Sequence, residues 1–182
     1  MAKIKWLFIA LTLIIIVFLL NTNQQSKLGS NSDQIFGIEK EDIFIIDISK
    51  ADENISLLFD GQSWSIMGND SLTVKENSIN GFFNNVLNVK RTSMVSKNKN
   101  NWDKFNVGDS TGTNLVLRDF NKNILSRIIV GSSKSEWSSS NIRVNDEVEV
   151  YQTNENISWQ LNTSPTYWGE LPKADTTRTD SL

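Results

Sequence analysis

From Trp6 to Leu20 the run 6-WLFIALTLIIIVFLL-20 is apolar at every position except Thr12, whose hydroxyl can bond back to its own helix. Residues 4–20 reach about 25 Å as an α-helix, near the lower limit for crossing a hydrocarbon core of about 30 Å. Lys5 can snorkel and Trp6 can settle at the interface, so the short span is workable. The expected anchor is residues 1–21, with Trp6, Leu7, Phe8, Ile14, Ile15, Ile16, Phe18 and Leu20 facing lipid.

Lys3 and Lys5 precede the run, and the first charge after it is Lys27. The positive-inside rule then sets the N-terminus in the cytoplasm and the remainder outside the inner membrane. A cleaved signal peptide has the same opening pattern. The exit 18-FLLNTNQQ-25 offers no small-x-small cleavage site, and a lipoprotein would need a cysteine, of which there is none. An uncleaved anchor is therefore expected. The lack of cysteine also fits an exported domain that uses no disulfides.

Residues 22–34 are polar, with Gly and Ser and no periodicity, as in a flexible tether. Residues 173–182 carry almost no apolar side chain and read as a disordered tail. The folded part is expected over residues 35–172. In it, 43-IFIIDIS-49 is too short for a helix and reads as a strand. Ile55, Leu57 and Phe59 alternate, and Asp60-Gly61 then separates them from Trp64 and Ile66, a strong hairpin signal. Next the period changes: Ile79, Phe82, Phe83, Val86 and Leu87 recur at helical spacing and predict one amphipathic helix over 75–89. Thr73 and Glu76 have the spacing of a capping box at its start.

A strand is expected again at 91–98, and a helical turn carrying Trp102 and Phe105 at 99–107. In 111-TGTNLVLRDFNKNILSRIIVGSS-133 two alternating runs flank Asn-Lys-Asn. Both faces of this hairpin carry apolar residues, which predicts a central position in a sheet covered partly on both sides. Ile142, Arg143 and Val144 should pair with 148–151 across a tight Asn145-Asp146 turn. A short helix is expected at 154–162, with Ile157 and Leu161 on one face. The class is α+β: a transmembrane helix, then a mostly antiparallel sheet with one main amphipathic helix.

Without histidine or cysteine, imidazole and thiol nucleophiles, the usual zinc sites, and haem ligation by either side chain are absent. The Asp-x-Asn-x-Asn start at Asp119 lacks the glycine and glutamate of a calcium loop, since those positions hold Ile124 and Val130. Ser96 and Lys99 form a Ser-x-x-Lys pair without the companion motifs of a penicillin-binding site. Gly108 and Gly112 flank a loop that no phosphate-gripping Gly-Lys-Ser/Thr follows. Charges are interspersed, with a net charge of −3, and no basic stripe suits nucleic acid. No enzyme, cofactor or metal is expected. Trp64 and Trp102 lie within apolar patterns and read as core. Trp137 stands alone in the serine-rich 132-SSKSEWSSSN-141, and Arg143 sits between two apolar strand residues. These two are the candidate partner surface.

The order of 55-ISLLFDGQSWSI-66, the helix, 101-NWDKFNVGD-109, 115-LVLRDFNKNILSRIIVG-131, the Arg143 strand, 148-VEVY-151 and Trp168 resembles the bacterial domain-of-unknown-function 4340 family. The resemblance covers residues 40–170. It implies an exported, membrane-anchored domain without an assigned catalytic activity, of a kind found beside ABC-type transporters. The serine-rich loop lacks the glycine and tyrosine expected there, and only one copy of the unit is visible. The functional expectation is a non-catalytic accessory or interaction subunit of an envelope complex. The alternative is a periplasmic module that carries a lipid or glycan.

Overall fold

A computed structural model describes residues 34–134 and 136–172. The anchor residues Trp6, Leu7, Phe8, Ile14, Ile15, Ile16, Phe18 and Leu20, the tether up to residue 33 and the tail at 173–182 lie outside the described residues. No helix among the described residues is long and apolar enough to cross a membrane.

The strands are β1 (Ile45–Lys50), β2 (Glu53–Phe59), β3 (Trp64–Ile66), β4 (Thr73–Val74), β5 (Arg91–Ser96), β6 (Thr113–Arg118), β7 (Ile124–Ser132), β8 (Ser140–Val144), β9 (Val150–Thr153) and β10 (Gly169–Glu170). Helices α1 (Glu76–Val86) and α2 (Pro165–Trp168) are accompanied by short 3-10 turns at Lys40–Asp42, Lys99–Asn101 and Asp103–Phe105. Eight strands form one antiparallel sheet in the order β3-β2-β1-β6-β7-β8-β9-β5, and β4 pairs with β10 apart from it. The β1–β2–β3 meander and the central β6–β7 hairpin follow the sequence reading.

Alternation explains the packing. Ile46 faces Leu57 and Leu117 across the ladder, and Ile48 faces Ile55 and Leu115. Ile128 and Ile142 continue that apolar face, and α1 lays Ile79, Phe82, Phe83 and Val86 against it. Residues 34–44 contribute Ile35, Phe36 and Ile43 to the same core. Trp168 closes it with no exposed surface, its indole donating to the Asn162 carbonyl at 2.7 Å. The other sheet face is more polar. There Arg118 pairs with Asp47 at 2.9 Å, and Ser56 donates to the same carboxylate at 2.7 Å. Residues 99–107 cover part of this face, bringing Val107, Trp102 and Phe105 over Ile129 and Val150.

Three local expectations need correction. Thr73 does not cap α1: it pairs with Glu170 in the β4–β10 ladder, and the capping position falls to Lys75, which makes no side-chain cap. Residues 154–162 form turns rather than a helix. The Asn156 side chain accepts from both the amide and the hydroxyl of Ser158, which diverts the backbone from helical bonding. Ile157 and Leu161 are buried nonetheless. The β8–β9 connection is longer than a tight turn, because pairing starts only at Ile142 and Tyr151. Asn145 adopts a left-handed conformation there, as Lys122 does in the β6–β7 turn.

Candidate functional site

Of the two residues expected at a partner surface, one is buried and one is exposed. Arg143 is only 5% exposed. Its guanidinium lies 3.7 Å above the Trp102 ring, its Nε donates to the Val107 carbonyl at 3.3 Å, and it is paired with the Asp109 carboxylate. Trp102 in turn donates its indole N–H to the Val148 carbonyl at 3.0 Å. The arginine is thus a clasp that fastens residues 99–109 onto β8, not a contact for a neighbour. Isolated on a strand, it gave no sign of this, since the covering segment lies more than thirty residues earlier in sequence. Arg143→Met should cost about 2 kcal/mol, measurable by urea unfolding, and should alter the near-ultraviolet dichroism of Trp102.

Trp137 is 89% exposed and Trp159 is 65% exposed. One residue organises both. The Asn156 side-chain amide donates to the Trp137 carbonyl at 2.9 Å, and the Trp159 indole donates to the Asn156 carbonyl at 2.9 Å. Asn156 is itself held by the Ser140 hydroxyl at 3.1 Å, and that hydroxyl accepts from the Ile157 amide at 3.0 Å. Two large aromatic side chains therefore project to solvent from backbone pinned to the buried start of β8. Beside Trp159 a hollow of about 300 Å³ is lined by Lys50, Asn106, Thr113, Gly131 and Ser158, among others. The exposure of Trp137 matches its isolation among serines in the sequence. The exposure of Trp159 was not legible, because the expected helix at 154–162 concealed it.

The opposite end of the sheet carries a second aromatic group. Phe120, 74% exposed, meets Phe44 at 5.4 Å between ring centres. Phe44 meets Phe59 at 5.7 Å, Phe59 stacks on Trp64 at 5.3 Å, and Trp64 reaches Phe83 of α1 at 5.7 Å. Trp64, expected in the core, is half-buried and packs on its edge. Phe59 and Trp64 line a cleft of about 580 Å³, together with Lys40, Glu41, Ile43, Gln62, Ser63, Thr73, Val74, Glu76, Ile79 and Asn80. Its lip is ordered by the Asp60 carboxylate, which accepts from the amides of Gln62 and Ser63 at 2.8 Å each. Those backbone bonds hold the Asp60 carboxyl below its ordinary pKa.

Several look-alike motifs resolve into structural roles. Ser96 Oγ accepts from the Asn98 amide and the Asn101 side chain, both at 3.1 Å, while the Lys99 ammonium sits over Trp102. Asp119 accepts from the Asn123 side chain at 2.9 Å, a bond that lowers its pKa and closes the hairpin turn. Among the described residues no three metal-ligating side chains gather into a site.

The model of a domain of unknown function, DUF4340, matches residues 64–170, more than half of the chain. The chain belongs to the DUF4340 family. The match starts at Trp64, so β1 and β2 precede it although they complete the same sheet. No curated protein and no solved structure matches the chain.

Proposed function

We propose that this DUF4340 protein is a single-span envelope protein whose folded domain is a non-catalytic interaction module, docking through the Trp137–Trp159 end onto a protein subunit of a membrane complex such as an ABC-type transporter. The observation that carries this reading is the pair of exposed tryptophans organised by Asn156. Large aromatic side chains on ordered backbone bind with little loss of conformational entropy, which is why tryptophan dominates interface hot spots. The apolar run at residues 6–20 supports an anchor in the inner membrane, with the domain on the extracytoplasmic side.

The test is chemical crosslinking of the tagged full chain in its native membrane, followed by mass spectrometry of what co-purifies. Trp137→Ser combined with Trp159→Ser should weaken capture of the partner by about 2 kcal/mol or more, roughly thirtyfold, while the unfolding midpoint stays unchanged. Replacing residues 1–21 with a cleavable signal should abolish capture of transporter subunits. Equal recovery with and without the tryptophans would overturn the proposal.

A further inference from the structure

We infer that the cleft between Phe59, Trp64 and the start of α1 is a binding site for a neutral saccharide, separate from the Trp137–Trp159 end. Its volume of about 580 Å³ lies within the range of small-molecule sites, roughly 300–1,000 Å³. Phe59 and Trp64 are cross-strand partners, and their rings lie within 28° of parallel. Phe44 and Phe83 buttress them from either side, so this aromatic wall exists before any ligand arrives. The π-face of such a ring is electron-rich, and the C–H face of a pyranose is its apolar, weakly positive complement.

The rim supplies the polar half of the match. Gln62, Ser63, Thr73 and Asn80 surround the aromatic wall with neutral groups that both donate and accept. Among the described residues the side-chain amides of Gln62 and Asn80 have no hydrogen-bond partner. Sugar hydroxyls, which also donate and accept, suit such a rim, and a small number of convergent polar groups over an apolar floor is the usual build of a ligand site. Charge argues against an anion: Glu41 and Glu76 outnumber Lys40, whose ammonium is already directed at the Phe83 ring at 4.8 Å. A bare acyl chain would leave the exposed rim amides unmatched and gain little from them.

The experiment uses the full chain, labelled with ¹⁵N and held in a polyoxyethylene detergent that carries no sugar. Cellotriose and chitotriose are the probes, and the indole N–H signals are the readout. The Trp64 signal, assigned by its loss in Trp64→Phe, should move saturably with at least one of them, and the Trp137 signal should not. Gln62→Ala combined with Asn80→Ala touches only exposed side chains and should weaken binding about tenfold. The inference fails if Trp64 is unmoved by both sugars, if the double substitution leaves the affinity unchanged, or if only tetramethylammonium or octanoate moves the signal.

Discussion

Trp168→Ala should lower the unfolding free energy of the domain by about 3–5 kcal/mol, the range for truncating a large buried aromatic. Its ring packing and its indole hydrogen bond make this side chain expensive to lose, while its backbone bond to Lys75 survives the substitution. Its ring has no exposed surface and lies edge-on to Phe82 at 6.0 Å and to Tyr167 at 5.0 Å. Its indole N–H satisfies the Asn162 carbonyl, which truncation would leave without that donor. Its own carbonyl accepts from the Lys75 amide at 2.7 Å, tying the α2 turn to the start of α1. Urea unfolding of the full chain in detergent measures the loss, and Trp168→Phe should recover more than half of it by refilling the cavity. A loss below about 1 kcal/mol for the alanine variant, well under the usual range, would contradict the role of Trp168 as the plug between α1 and the sheet.

Gly131→Ala is the second large effect, at about 3 kcal/mol, and it acts on the other face. A Cβ at position 131 would overlap both the Phe105 and the Asn106 carbonyl oxygens. Both obstacles are backbone, so no rotamer change relieves them. Asn106 already adopts a left-handed conformation to end its 3-10 turn, and its side chain bonds back to Ser132. The cheapest response is for residues 99–107 to lift from the sheet, which separates Trp102 from Arg143 and uncovers Ile129 and Val150. The expected signature is therefore twofold: a lower urea midpoint, and loss of the Trp102 signal in near-ultraviolet dichroism at urea concentrations where the α1 side is still folded. A variant with unchanged midpoint would show that the segment does not press on β7.

What could be read from the sequence follows from how far each signal reaches along the chain. The alternation around Asp60-Gly61 and the helical spacing of Ile79, Phe82, Phe83 and Val86 are local, and both elements form there, although the helix ends at Val86 rather than at 89. The central position of β6 and β7 was legible because apolar residues on both faces demand cover on both faces. The placement of β5 beside β9 at the sheet edge was not, because only long-range pairing decides it. Arg143 was misjudged for the same reason: its partners arrive from residues 102–109. The capping role given to Thr73 failed because a strand pairing with Glu170 competes for the same backbone. The exposure of Trp137 was legible from its polar surroundings. The aromatic wall of Phe44, Phe59 and Trp64 became visible only once register set these rings side by side.

Site-specific photo-crosslinking shows whether Trp137 and Trp159 face a protein partner. A photoreactive amino acid is placed at position 137 or 159 of the full chain in its native membrane, with position 116 on the polar sheet face as control. Both tryptophan positions should capture the same subunit of a membrane complex, and the control should capture none of it. No protein adduct at either tryptophan position, or equal capture from position 116, would contradict the proposed docking.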